Sequence, residues 1–198
     1  VCFLGLSGDL PQKKNIYPAS TLEETARKAV LLSGLNPGLT GDEANPTETA
    51  AANKANQYVR GLYSGGTLAY EAMLILGDIL GPIYSNAPID AAYRLEKGHF
   101  PAENVILDLG TEEYTSGVPH PMIDGRIRNE FIAAAGADPT VRVILLDVIL
   151  GLGSDANPAA AISPGICAAL DAAKKAGRDL AVVASVTGTQ RDPQGYQE

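Results

Sequence analysis

Two short glycine-rich stretches, Ser64-Gly65-Gly66-Thr67 and Gly151-Leu152-Gly153-Ser154-Asp155, each follow an apolar run and precede a helical one. Glycines there let the backbone approach a ligand. The first amides of the following helix then face whatever negative charge sits in front of them. Ser64, Gly65, Gly66, Thr67, Gly151, Gly153 and Ser154 are therefore candidate anion-binding residues. The first stretch is not a Walker A loop, having no GK[ST], and does not fit GxGxxG. A tight turn with a helix cap explains it equally well, and Asp155 could simply close its own turn.

Two carboxylates, Asp108 and Asp147, each sit inside an apolar run, VILD and VRVILLDVI. An unpaired buried carboxylate is costly, so each needs a partner or must reach a polar crevice. Bonds from a neighbouring loop's amides would satisfy them as well. The loop Gly117-Val-Pro-His120-Pro-Met-Ile-Asp124-Gly-Arg126 holds His120 between two prolines. Its imidazole could act as a general base, an anion donor or a nucleophile, or could be structural. Asp124 is a candidate catalytic carboxylate and also a natural helix cap, with Arg126 just beyond it. His99 lies in an irregular linker and is expected at the surface. Two histidines and two cysteines without ligand spacing point to no metal site.

These residues need strands to carry them and helices to follow. The patterning predicts strands at 1–6, 57–63, 105–109, 141–150 and 180–186, with a short one near 83–84. Ser20 and Thr21 ahead of Glu23 and Glu24 form a capping-box signature for a helix ending at Gly34. Asn45-Pro46 opens an Ala-rich helix after a turn-rich linker, an accessory unit over 36–56. Further helices are expected over 68–80, 125–136 and 158–176, with a long loop at 110–124. Strands that are apolar throughout suit a sheet covered on both faces. The expected fold is α/β, a flavodoxin-like or Rossmann-like doubly wound, mainly parallel sheet of about five strands. Right-handed crossovers bring the loops GLSGD, YSGGT, LGTEE, GLGSD and VTGTQ to one sheet edge, where a shared polar crevice is expected.

The chain has 198 residues, 45% of them hydrophobic, enough for a full core. Its net charge of −8 argues against nucleic acid or an anionic membrane as partner. Small anions remain open, because helix N-termini bind them without net positive charge. No apolar run reaches the roughly 18 residues of a spanning helix. Cys2 and Cys167 read as buried thiols of a reducing cytoplasm. Beginning in a strand and ending in a polar stretch, the chain reads as a piece of a longer polypeptide.

The stretches RGLYSGGTLAYEAM, ILDLGTEEYTSGVPHPMIDGRIRNE, DPTVRVILLDVILGLGSDANPA and ASVTGTQRDPQ resemble the FdrA family, acyl-CoA synthetase-like relatives of succinyl-CoA synthetase. The likeness runs from Arg60 to Gln194 and is less sharp over 1–59. It implies a flavodoxin-like CoA-ligase domain over 1–198, with the family's CoA-binding Rossmann domain lying upstream. CoA or a nucleotide would then be held through that other domain, with none assigned to this segment. The helix N-termini at Gly65-Gly66 and Gly153-Ser154 would face a phosphorylated intermediate. The pattern LDLG…DP.V..ILLD…G is also similar to the carboxy-terminal domain of the synthetase's beta subunit. The alpha subunit's phosphohistidine sits in a GHAG loop, which this chain lacks; His120 stands in PHPM. Phosphohistidine chemistry is therefore not carried over to it. Some family members are linked to allantoin and purine catabolism as a component of an oxamate carbamoyltransferase. Three readings follow: a ligase acting on an acyl phosphate or phosphate, a carbamoyltransferase component using carbamoyl phosphate, and a non-catalytic assembly domain. In each, other domains or subunits are partners.

Overall fold

In a computed structural model the described residues are 2–3, 22–32, 57–96 and 98–195. The elements follow as β1 (Cys2–Phe3), α1 (Leu22–Leu32), β2 (Tyr58–Tyr63), α2 (Gly66–Leu80), β3 (Val105–Asp108), α3 (Glu112–Thr115), α4 (Arg126–Ala137), β4 (Val141–Ile149), α5 (Pro158–Lys175) and β5 (Ala181–Thr187). The GLSGD loop, the accessory helix and the 36–56 linker lie outside the described residues.

All five strands pair in parallel, in the order β1-β5-β4-β2-β3. The alternation of side chains along a strand divides the core into two layers. Val143, Leu145 and Val183 pack with Ala29 and Val30 of α1 and with Ala72, Met73 and Leu76 of α2. Ile144, Leu146, Val148, Val182 and Ala184 pack with Ile132 of α4 and with Ile162, Ala169 and Ala173 of α5. Both faces of β4 are thus buried, which is why its run is apolar throughout. This is the doubly wound α/β arrangement the sequence predicts. Read from β3, the strands β3-β2-β4-β5 follow the flavodoxin order 2-1-3-4. Here the outermost fifth place is taken by the first strand of the chain.

Helices α4 and α5 cross closely because small residues meet. A methyl on Gly136 would fall 2.2 Å from the Ala169 Cα. Pro164 lies inside α5, where it offers no amide and its ring crowds the preceding turn, yet the helix runs on to Lys175. Asn129 of α4 meets the turn around that proline: its Nδ2 donates to the Ala161 carbonyl at 2.8 Å, and its Oδ1 accepts from the Gly165 amide at 2.8 Å.

Two local expectations are corrected. The loop at 110–124 contains the one-turn helix α3, begun at Thr111 with two glutamates in its first turn, as the N-terminal dipole favours. Cys167 is exposed on α5, not buried. The inward face of that helix is supplied by Ile162, Gly165, Ala169 and Ala173, and Cys167 falls between them on the turn. His99 is exposed. The linker before β3 carries a parallel bridge between Tyr84 and Val105, which covers the sheet edge.

Candidate functional site

The chain leaves β2 through α2 on one face of the sheet, and leaves β4 through α5 on the other. Neighbouring strands whose connections part in this way open a crevice at their carboxyl ends. Ser64 directly follows β2 and spans that point. Its amide donates to Asp147 Oδ1 at 2.8 Å and its hydroxyl to Oδ2 at 2.6 Å. Arg128 of α4 completes the cluster. Its Nη2 reaches Asp147 Oδ1 at 2.7 Å, the Asp147 carbonyl at 2.8 Å and the Leu62 carbonyl at 3.0 Å. All three residues are buried. The Arg128 Nε is also buried and finds no hydrogen-bond partner among the described residues. Beside it lies a cavity of about 10 Å³, lined by Ser64, Met122, Gly125, Arg128, Asp155 and Pro158 among others. That is about the room of one water.

Asp108 ends β3 next door. Its Oδ1 accepts from the Gly110 amide at 2.9 Å. Its Oδ2 lies 2.8 Å from the place a Gly66 Cβ would take, so only glycine fits at the start of α2. Asn86 holds the strand end, exchanging bonds with the Asp108 amide at 3.0 Å and carbonyl at 2.9 Å. Burial pushes the Asp108 carboxyl up, while the Gly110 amide and His120 pull it down and Asp147 pushes it up further; the net direction is up.

His120 meets this group over a second glycine. A Cβ on Gly110 would lie 2.6 Å from His120 Nε2 and 2.5 Å from the Ser64 carbonyl oxygen. On the other side of the ring, Nδ1 accepts from the Met122 amide at 3.2 Å. The neutral ring therefore carries its proton on Nε2, the nitrogen facing Gly110. Helix α2 begins at Gly66 with Gly65 as a cap that offers no side chain. The first amides of α2, from Gly66 and Thr67 onward, have no partner within the helix. Ser64, Gly66, Asp108, Gly110, His120, Arg128 and Asp147 thus come together.

The other expected residues stand at the margin. Asp124 pairs with Arg126 at 2.6 Å and accepts the Arg126 amide at 2.9 Å; Gly125, not Asp124, holds the cap position of α4. Those bonds from Arg126 hold the Asp124 carboxyl below its usual value. The Arg126 side chain is exposed. Asp155 accepts the Asn157 amide at 2.7 Å and so closes its own turn. The amides of the second glycine loop are largely engaged. Gly151 donates to Gln194, Ser154 to the Gly151 carbonyl, and Asp155 to the Met122 carbonyl. Arg128, Asn86 and Gln194 were not foreseen. A signal existed for Arg128: it shares a helix face with Ile132 and Ala135, and a cation in an apolar stripe requires a buried anion such as Asp147.

Residues 62–198 match the family model described as CoA-ligase. The chain belongs to the CoA-ligase family. It is also 33% identical over 208 residues to the uncharacterized protein YahF of Escherichia coli (strain K12), across the whole of this chain and 39% of that protein. The CoA-ligase match begins at Leu62 in β2 and so takes in the crevice and its cluster. Among the described residues, no helix is long and apolar enough to cross a membrane.

Membership of the CoA-ligase family makes CoA or a nucleotide, both carrying phosphates, the groups to test against these residues. The donors that fit one such group are the uncapped amides of α2 and the unpartnered Arg128 Nε. The carboxylates of Asp108 and Asp147 set a limit, since both already hold donors that an anion would otherwise take.

Proposed function

We propose that this chain is the ligase domain of a succinyl-CoA synthetase-like acyl-CoA synthetase. In this reading a phosphorylated or CoA-linked anionic intermediate rests on the N-terminus of α2, at Gly65, Gly66 and Thr67. The uncapped start of α2 at the strand-reversal point carries the reading. His120 is the acid–base residue, with Nε2 turned toward Gly110. Asp147 and Arg128 hold β2 and the crevice floor in place. The loop Gly151, Gly153 and Ser154 forms the opposite wall. CoA or a nucleotide is supplied by another domain or subunit; this chain spans 39% of YahF.

Calorimetric titration with inorganic phosphate, acetyl phosphate and carbamoyl phosphate tests the reading. One saturable site per chain is expected. Gly65→Asp is expected to abolish it, because the new carboxylate would cap the helix and repel the anion. A Cβ at Gly65 meets nothing within 4 Å and its φ is −161°, so the variant folds. Unchanged binding in Gly65→Asp would move the anion elsewhere.

A second reading uses the same crevice for carbamoyl phosphate, as a component of an oxamate carbamoyltransferase. The PHPM setting of His120 in place of GHAG favours it. Tighter binding of carbamoyl phosphate than of acetyl phosphate would support it.

A further inference from the structure

The segment after β5 folds back across the end of β4. Gly188 makes the close approach possible: a Cβ there would fall 2.5 Å from the Leu150 Cβ. The turn that follows is held by Asp192, which accepts the Thr189 amide through its carboxylate and donates its own amide to the Thr189 carbonyl at 3.1 Å. This turn presents Gln194 to the loop 151–155. Its Oε1 accepts the Gly151 amide at 3.0 Å. Its Nε2 donates to the Gly151 carbonyl at 2.9 Å, to Ser154 Oγ at 3.0 Å and to the Asp155 carbonyl at 3.0 Å. Two N–H hydrogens are thus shared among three acceptors, and one carboxamide fixes the shape of the whole loop.

The hydrogen bonds do not stop there. The Asp155 amide donates to the Met122 carbonyl at 2.9 Å. The Met122 amide donates to His120 Nδ1 at 3.2 Å. Three hydrogen bonds, linked through the backbones of Asp155 and Met122, join the Gln194 carboxamide to the His120 imidazole. We infer that Gln194 is a positioning residue for His120. It locks the loop 151–155, the loop holds Met122, and Met122 selects the tautomer that carries its proton on Nε2. Its catalytic consequence rests on the function proposed above; the coupling itself does not.

The chain has two histidines, so a His99→Gln background leaves one imidazole to observe. In that background, 15N NMR at a pH where the ring is neutral should show a pyridine-like Nδ1 and a pyrrole-like Nε2. Gln194→Ala should move both shifts toward a mixture of tautomers, with the circular dichroism spectrum retained. Gln194→Glu keeps the acceptor for Gly151 and loses the donors to Asp155, so it should move them the same way and serves where the alanine variant does not fold. Asp124→Asn, which touches the same connecting segment without joining the path, should leave them unmoved. Identical 15N shifts in a folded Gln194 variant and its parent would overturn the inference, as would a tautomer mixture already present in the parent. The readout is independent of phosphate binding, so an absent calorimetric signal beside a shifted imidazole would remove the proposed function and leave the coupling standing.

Discussion

Ser64 and Asp147 join β2 to β4 at the point where the connections from the two strands part, with both oxygens of one carboxylate bonded to one residue. The crevice has a rigid floor because the strand that ends and the strand that passes are bonded there by side chain as well as by backbone. Arg128 supplies the opposite charge at 2.7 Å.

Removing one partner of that buried pair strands the other. Arg128→Met is expected to lower the unfolding free energy by about 3–5 kcal/mol, and Asp147→Leu by a similar amount. The double variant should lose less than the sum, since no uncompensated charge remains. Urea denaturation of the three variants measures this; additive losses would contradict a coupled pair.

Gly110 admits no side chain. Gly110→Ala places a methyl against the Ser64 carbonyl and the His120 ring at 2.5 and 2.6 Å. Overpacking of this kind costs about 1–3 kcal/mol. The ring is the part free to give way, so anion binding and His120 15N shifts should change alongside a lowered melting temperature. A variant with parental melting and parental shifts would refute the close approach.

The stability of the protein should carry the mark of Asp108. Its folded carboxyl lies above the ordinary aspartate value, first because of burial. A raised value means that its contribution is fully present below the unfolded pKa, about 3.9, and is lost as pH rises through the folded value. Asp108→Asn keeps an acceptor for the Gly110 amide and has no charge to desolvate. It should therefore be relatively more stable than the parent at neutral pH, with the advantage fading toward pH 4. Chemical denaturation across that range reads the sign; an advantage that grows on acidification would be the wrong one.

On the function proposed above, His120→Ala should lower turnover of the full protein by about a hundredfold or more, the size of a general acid–base contribution. Stability should change little, because His120 is a half-buried loop residue. Steady-state kinetics beside thermal melting separates the two effects. Parental turnover would leave His120 a structural role only.

Much of this molecule was written in local pattern. The apolar run at 141–150 has one physical solution, a strand covered on both faces, and the structure forms it over Val141–Ile149. The alternation of such runs with amphipathic ones dictated parallel strands, and right-handed crossovers then dictated that Ser64, Asp108 and Asp147 share one sheet edge. The glycines at 65 and 66 were legible as the start of a helix. Three things waited for the tertiary structure. The pairing of Asp147 with Arg128, two residues 19 apart in sequence, depends on how α4 lies across the sheet. The exposure of Cys167 depends on which side of α5 turns inward, and small residues at Gly165 and Ala169 decided that by allowing the closest approach to α4. The path from Gln194 to His120 runs through backbone groups, and backbone groups carry no residue identity. Local preference is a property of a few neighbouring residues. Which charges meet, and which amides remain free, is settled only when distant segments compete for the same donors.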